Sequence, residues 1–398
     1  MGRYFENIDR FAVQLALGVI RFRWLVILAA LIAAFGIGTG ASKLEFANNY
    51  RVFFSQENPE LQAFENLQAT YTKNDNFLFV LEPKDSTSTA FTSETLAAVE
   101  ALTQQAWQIP YAIRVDSVTN FQHTEGIDDD LIVEDLVSNA SGLSEAELAA
   151  KLEIALAEPL LKDQLVSYDG GVTAVNVTLQ YPELSLAEVP DAVTKAREIR
   201  AQITADYPQL SVYLTGVSAL NNAFAEVGTA DMGTLVPLMF LVILLLTYGI
   251  IRSASATFAT SIVIILSVVV GMGAAGFLGI HLTPISASAP IVILTLAIAD
   301  SVHILVSLRT LMREGLAKAA AITEAIRLNF MPVSITSLTT IVGFASLNFS
   351  DSPPFWHLGN ITGIGIAAAW LFSLTMLPAL IAVMPVKFMQ RELPEGHK

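Results

Sequence analysis

Six apolar stretches long enough to cross a lipid bilayer constrain this chain more than any other feature of its sequence. A bilayer core is about 30 Å thick and needs roughly 20 apolar residues in a helix. Helices satisfy their own backbone hydrogen bonds, which lipid cannot do. The sequence therefore predicts a membrane-embedded α-helical bundle of six spans, at about residues 24–40, 233–251, 257–280, 286–308, 331–349 and 361–384.

The charge is distributed unevenly between the apolar stretches and the long segment after the first one. The chain is 53% hydrophobic and 15% charged, whereas soluble domains carry about 25% charged residues. Residues 41–232 hold 10 Lys/Arg and 29 Asp/Glu, against 12 and 8 in the remainder. This predicts one acidic, water-exposed domain inserted into a mildly basic membrane body. No basic face suggests nucleic acid, and the absence of cysteine excludes thiol chemistry and disulfides.

The basic residues beside the spans predict the orientation of the chain. They flank alternate ends of the spans, while the loops at 281–285 and 350–360 contain no Lys or Arg. The protein is expected in the inner membrane. By the positive-inside rule, both of its termini are expected on the cytoplasmic side. The expected layout begins with a cytoplasmic interfacial amphipathic helix at 1–23 and a first span at 24–40. An extracytoplasmic domain follows at 41–232, then spans two to six at 233–386 and a cytoplasmic tail at 387–398. A cleaved signal peptide ending near Ala41 is the alternative for the first span, and a second surface helix is expected over 316–328.

Strand and helix patterns alternate within the acidic domain. Strands are predicted at 77–81, 113–118, 173–179 and 211–215, and helices at 92–107 and 186–207. An acidic, mostly helical insert is expected over 128–161, with a capping box at Ser144 and Glu147. The order strand–helix–strand, insert, strand–helix–strand indicates an α+β domain of ferredoxin-like, split βαβ topology.

Asp300 is the only carboxylate inside the apolar stretches, near the middle of the fourth. A charge there costs at least ~2.5–3.5 kcal/mol, so the side chain must face protein or water. Desolvation favours its neutral form, which makes it a candidate proton carrier; a structural carboxylate bound to Ser or Thr is the alternative. His303 shares its helix face, and the hydroxyl-rich fifth span presents Ser337 and Thr340 on one face. Packing is the alternative reading of those hydroxyls.

Several other functions are not supported by the sequence. One Asp and one His in the spans are too few for a metal site. No Gly-x-x-x-x-Gly-Lys-Ser/Thr loop is present, which argues against ATP-driven transport. His123 is the only histidine of residues 41–232, so the chain is not expected to be an enzyme or to hold a cofactor. Small residues at Gly271–Gly276 and at Gly363 and Gly365 predict close helix packing, with hinges as the alternative.

The order of these parts resembles one half of a transporter of the resistance-nodulation-division (RND) superfamily. The fourth-span sequence at 299–305 is similar to that of the hydrophobe/amphiphile exporters and MMPL-like members. The exit from the inserted domain and the fifth and sixth spans are also similar to theirs, at 214–221, 336–351, 359–365 and 377–379. The chain departs from close relatives at Leu296 and Ser301, where they often carry a glycine and an aromatic residue.

The resemblance implies proton-gradient-driven efflux, a proton antiport, of a hydrophobic or amphiphilic, lipid-like substrate through a porter-type domain. It implies a proton relay through Asp300, with His303, Ser337 and Thr340 as further members. Such transporters usually contain two halves, and no Lys or second Asp in the spans pairs with Asp300. A second half-transporter or a homodimer is therefore expected as a partner. The alternative is a non-pumping protein of the same fold that binds or senses lipid or supports another membrane complex.

Overall fold

A computed structural model describes most of the chain, which divides into two compact units. The described residues are 2–47, 50–71, 75–85, 87–127, 130–182, 184–185, 187–386 and 388. The membrane unit comprises Met1–Ala47, Arg51–Ser55 and Ala225–Lys398, and the inserted unit comprises Asn48–Tyr50 and Gln56–Phe224. Apart from residue 388, the predicted C-terminal tail lies outside the described residues.

The described residues form twelve α-helices and six strands. The helices are α1 Gly2–Arg21, α2 Arg23–Gly38, α3 Pro59–Thr70, α4 Ser93–Ala106, α5 Glu145–Ala157, α6 Glu188–Asp206, α7 Val217–Ile251, α8 Ala254–Phe277, α9 Ala289–Arg313, α10 Lys318–Ala345, α11 Pro353–Leu374 and α12 Met376–Val383. The strands are β1 Asn76–Pro83, β2 Ala112–Asp116, β3 Gln122–Ile127, β4 Asp130–Asp135, β5 Thr173–Leu179 and β6 Leu210–Thr215.

Six helical segments are long and apolar enough to cross a membrane, which confirms the predicted number of spans. They are Arg23–Lys43, Val217–Ile251, Ala254–Phe277, Ser286–Arg313, Lys318–Phe349 and Pro353–Val383. The second begins well before the predicted start at residue 233. The sixth consists of two helices, α11 and α12, that meet at Thr375. Pro378 has no amide hydrogen for the preceding turn, so an uninterrupted helix is disfavoured there.

Two local predictions in the membrane unit are wrong. The predicted surface helix at 316–328 is the first part of α10, which continues through Pro332 to Ala345 as one helix. Residues 350–360 were expected to be a loop, yet α11 begins at Pro353. The fixed backbone angle of a proline suits the first turn of a helix, where its missing N–H leaves no bond unmade.

The N-terminal helix α1 lies within the segment 1–23 that was predicted as an amphipathic helix, and it packs against α10. The rings of Phe11 and Phe330 meet edge to face, with centroids 5.6 Å apart. Arg327 Nη1 donates to Asp9 Oδ2 at 2.6 Å, and its Nη2 donates to Glu324 Oε1 at 2.6 Å. The guanidinium of Arg327 therefore joins α10 to α1 through Asp9, while Glu324 of its own helix holds it in place.

Glycines allow α8 to approach its neighbours closely. A Cβ on Gly273 would lie 2.7 Å from the Cα of Gly38 in α2, and one on Gly271 would lie 3.2 Å from the Cα of Gly365 in α11. A Cβ on Gly363, in contrast, would meet nothing within 4 Å. The predicted packing role therefore holds for Gly271, Gly273 and Gly365, where small residues let two backbones meet.

We expect Gly273→Ala to lower the thermal stability of the purified protein and Gly363→Ala to preserve or raise it. Both changes gain helix propensity, about 0.5–1 kcal/mol. At Gly273 the new methyl group meets backbone atoms of α2, and such overpacking costs about 1–3 kcal/mol. Thermal unfolding in detergent, followed by size-exclusion fluorescence, measures the difference; equal unfolding temperatures for the two variants would contradict the packing assignment.

The inserted unit is built on a four-stranded antiparallel sheet with the strand order β2-β5-β1-β6. Phe77, Phe79 and Leu81 alternate along β1 and are fully buried, because alternate residues of a strand point to one face. They share a core with residues of α4 and α6, including Leu96, Leu102, Ile199 and Ile203. The predicted strands and both long helices of this unit are present, and β5 has the predicted bounds.

The passage from β6 into α7 requires a glycine. Gly216 has φ +113°, and a Cβ there would lie 2.9 Å from the Cα of Phe77. The amide of Val217 donates to Asn76 Oδ1 at 3.0 Å, which satisfies one free donor at the start of α7. The local sequence at 214–221 therefore encodes a tight turn followed directly by a long helix.

The prediction of a mostly helical segment over 128–161 is only half right. Residues 128–129 lie outside the described residues, but β3 and β4 pair on either side of them as an antiparallel hairpin. The run Leu131-Ile132-Val133 explains this, since β-branched residues favour strands. Helix α5 follows, and the capping box at its start is confirmed: Ser144 N donates to Glu147 Oε2 at 2.8 Å. Hydrogen bonds from Ser144 hold the pKa of Glu147 below its usual range.

Candidate functional site

Asp300 lies near the middle of α9, and its side chain is buried within the membrane unit, with 5% of its surface exposed. Helix α9 starts at Ala289-Pro290 and is mainly apolar before Asp300, whereas Ser301 and the exposed His303 follow it. A buried carboxylate is tolerated only where other groups satisfy its oxygens. Its partner is therefore expected on a neighbouring helix.

Ser337 of α10 supplies that partner. Its Oγ donates to Asp300 Oδ2 at 2.8 Å, and its own side chain is buried. The structure thus brings together two of the four residues predicted for the site. The contact by itself suits a structural carboxylate as well as a proton carrier, because both need a donor at this distance.

Thr340 and His303 are placed differently. Thr340 Oγ1 donates to the carbonyl oxygen of Thr336 at 2.7 Å, within its own helix. His303 lies one turn after Asp300 with an exposed side chain, and in the described part of the chain it forms no hydrogen bond with Asp300. Their membership of a proton relay stays a prediction.

Two further polar contacts join α9 and α10 to a third helix, α11. Ser301 Oγ of α9 lies 3.3 Å from Ser373 Oγ of α11, and Trp370 Nε1 of α11 donates to Ser334 Oγ of α10 at 3.0 Å. Together with the Asp300–Ser337 bond, these contacts join each pair of the three helices through side chains, and Asn329 Nδ2 of α10 adds a second link to α9 by donating to Ser307 Oγ at 2.8 Å. We call this arrangement the hydroxyl triangle.

The sequence contained part of the signal for the hydroxyl triangle. Ser334 stands one turn before Ser337 and Ser301 follows Asp300, so periodicity places each beside a predicted site residue. Trp370 and Ser373 are also one turn apart, but nothing in their own helix indicates which neighbour they face. Only the crossing of α11 with α9 and α10 reveals that.

The arrangement gives the protonation of Asp300 a structural consequence. An ionised carboxylate only accepts hydrogen bonds, whereas a protonated one also donates. A serine hydroxyl can turn to suit either state. Protonation therefore removes the charge between α9 and α10 and allows their hydrogen bond to run in either direction.

No Lys or Arg neutralises Asp300 within this chain's described residues. None of these side chains lies at ion-pair distance from it, and no group of three or more His, Asp or Glu residues among them could hold a metal ion. Within the described residues, Ser337 donates a hydrogen bond to the carboxylate, and His303 interacts with it electrostatically from one turn further along α9.

Comparison with known proteins identifies the family. The family model described as "MMPL family" matches residues 54–392. The chain belongs to the MMPL family. MJ1562 of Methanocaldococcus jannaschii, named as a membrane protein, is 23% identical over 367 residues, which cover 90% of each chain. YdgH of Bacillus subtilis, also named as a membrane protein, is 25% identical over 240 residues, which cover 58% of this chain and 26% of YdgH.

For this MMPL-family protein, Ser337→Ala should impair any activity that depends on Asp300, and Thr340→Val should not. A hydrogen bond to a charged group contributes about 1.5–3 kcal/mol, or roughly tenfold to a hundredfold in an equilibrium. Thr340 makes its bond within α10, so its loss leaves Asp300 unchanged. Proton flux into proteoliposomes, followed with an entrapped pH dye, measures both variants. An equal loss in Thr340→Val would place Thr340 in the relay.

Proposed function

We propose that this MMPL-family protein is an RND-type exporter that uses a proton gradient to move a hydrophobic or amphiphilic, lipid-like substrate. The observation that carries the proposal is the buried Asp300 carboxylate bonded to Ser337 between α9 and α10. Ionisable groups within membrane spans are costly, and they mark proton and ion pathways. Membership of a transporter-like family supports the same reading.

Coupling would arise at the hydroxyl triangle. Uptake of a proton neutralises Asp300, removes the desolvation cost of its charge and lets it donate as well as accept. Serine and tryptophan contacts join α11 to both α9 and α10. A shift of α9 relative to α10 therefore also displaces α11. The energy source is the proton gradient, with about 2.3 kcal/mol per elementary charge for each 100 mV of membrane potential.

The proposal includes an orientation and a role for the inserted unit. The basic flanks at Arg252 and Arg309–Arg313 support a cytoplasmic location for both termini in the inner membrane, with residues 41–232 extracytoplasmic. The inserted unit then acts as the porter-type domain. Its antiparallel strand order β2-β5-β1-β6, with α4 and α6 contributing to the core, supports a ferredoxin-like topology.

A second half-transporter or a second copy of this chain belongs to the same proposal. Apolar side chains on three membrane-length helices are exposed within the monomer, for example Phe35 of α2, Leu245 of α7 and Val342 of α10. Lipid covers such surfaces, and so does a partner. The exposed His303 on α9 and the lack of an ion-pair partner for Asp300 among the described residues favour a partner that completes the relay.

A non-pumping lipid-binding, lipid-sensing or accessory protein is the second candidate function. The Asp300–Ser337 bond favours this second candidate, because it satisfies the carboxylate without a Lys or Arg partner within the described residues. Such a protein would hold lipid to the same extent with and without a proton gradient, and uncouplers would leave its occupancy unchanged.

Asp300→Asn should abolish gradient-dependent transport while leaving the protein folded, because an amide cannot carry the proton. Proteoliposomes loaded with the hydrophobic dye Nile red and given an imposed pH gradient measure this as dye movement that an uncoupler stops. Asp351→Asn changes an exposed acid between α10 and α11 and serves as the matched control. It should transport as wild type does.

Retained gradient-driven transport in Asp300→Asn would overturn the relay assignment. If the amount of dye bound by the wild type changes with neither the gradient nor the uncoupler, proton coupling is overturned and the second candidate function is favoured. Unfolding profiles of both variants in detergent establish that a loss of transport is not a loss of fold.

A further inference from the structure

The inserted unit contains a groove that the proton-coupling site does not use. It has a volume of about 880 Å³ and opens between the starts of α4 and α5 and the beginning of β6. Its accessible apolar lining includes Leu143 and Leu152, which are half-buried, and Ala149, which is exposed. Pockets that bind small ligands have volumes of about 300–1,000 Å³ and are mainly apolar.

The walls of the groove are held in place by hydrogen bonds around its closed end. Ser93 Oγ at the start of α4 donates to the carbonyl oxygen of Ala140 at 3.0 Å, and the Ala140 amide donates to Glu100 Oε2 at 3.1 Å. Lys151 Nζ of α5 donates to the carbonyl oxygen of Leu136 at 2.5 Å. Both helices are thereby fixed to the segment between them, so the groove is present without a ligand.

The rim of the groove is acidic. Its charged residues are Lys84, Asp85, Glu94 and Glu145, and Lys84 Nζ is engaged with the carbonyl oxygen of Pro208 at 2.7 Å. Hydrogen bonds from Thr87 hold the pKa of Asp85 below its usual range, so this carboxylate keeps its charge in mildly acidic surroundings. The unit around the groove is also strongly acidic, which attracts cations and repels anions.

Two helix N-termini face the groove, and an uncapped N-terminus would attract an anion. Here each N-terminus is capped by its own side chain. Thr92 accepts from the Thr95 amide, and Ser144 accepts from the Glu147 amide. Glu94 and Glu145 add negative charge in the first turns. An anionic ligand would therefore meet a carboxylate in the first turn of each helix.

We propose that this groove binds a cationic amphiphile, with its alkyl chain on the surface of Leu143, Ala149 and Leu152 and its ammonium group beside Glu94 and Glu145. This inference rests on the proposed function, because it names the class of substrate that the inserted unit would take. A neutral or anionic amphiphile can use the apolar surface, but it gains nothing from the rim.

The first test fills the groove without touching the core. Ala149 of α5 is exposed and lines the groove, while the next residue, Ala150, is exposed and does not line it. The full chain in nanodiscs of zwitterionic lipid is dialysed to equilibrium against radiolabelled decyltrimethylammonium below its micelle concentration, with empty nanodiscs subtracted. Ala149→Trp should weaken binding by at least about tenfold, and Ala150→Trp should bind as wild type does.

The second test removes charge from the rim and leaves the shape intact. The double variant Glu94→Gln/Glu145→Gln should weaken binding of decyltrimethylammonium by about threefold to tenfold. Its binding of the neutral decyl maltoside should stay unchanged. Glu153→Gln, an exposed acid of α5 away from the groove, is the matched control and should have no effect. This arm does not depend on the folding of Ala149→Trp.

Equal binding by Ala149→Trp and Ala150→Trp would overturn the site. Binding of decyl sulfate as tight as that of decyltrimethylammonium, or no response to the double variant, would overturn the ligand class. Asp300→Asn should retain full binding, so its transport result tests the proposed function separately. If Asp300→Asn loses transport and Ala149→Trp has no effect on binding, the proposed exporter function stands and the proposed binding site in the groove is overturned.

Discussion

The cost of placing one carboxylate within an apolar helix constrains how three helices of the membrane unit pack. A serine side chain is short, so Ser337 reaches Asp300 at 2.8 Å only if α10 lies close to α9. The contacts of α11 with both helices are equally short-range, through Ser373 and Trp370. Glycines at the α8–α11 crossing serve the same end, since Gly271 and Gly365 let their backbones approach. The Asp300 carboxylate can therefore be satisfied only when these helices pack closely.

The two units of the protein handle charge in opposite ways. In the membrane unit, Asp300 is buried and accepts a hydrogen bond from the Ser337 hydroxyl, which can also accept one. In the inserted unit, the core is apolar and most acids, such as Glu94 and Glu145, are exposed. A change of protonation therefore alters packing in the first unit, whereas charge in the second acts mainly on what approaches it.

The parts of the fold that local composition encodes could be predicted from the sequence. Apolar length gave the six spans, and alternation gave β5. Two differences in the spans involve proline: α10 continues through Pro332, whereas α11 ends shortly before Pro378. A proline removes one backbone bond in both places, and whether the helix continues depends on packing around it. The site shows the same limit. Periodicity placed Ser337 and Thr340 on one face, but only Ser337 meets Asp300, while Thr340 bonds to its own helix.

If the protein is the proton-driven exporter proposed above, the charge of its substrate decides which part of the proton gradient can drive it. If one proton enters for each cationic amphiphile that leaves, no net charge crosses the membrane. The exchange then draws on the pH difference and is indifferent to the membrane potential. Export of a neutral or anionic amphiphile against one proton moves net positive charge inward and gains about 2.3 kcal/mol per charge for each 100 mV. An acidic groove in the inserted unit and a single buried carboxylate in the membrane unit thus fit an electroneutral exchange, in which Asp300 carries one positive charge inward as the ligand carries one outward.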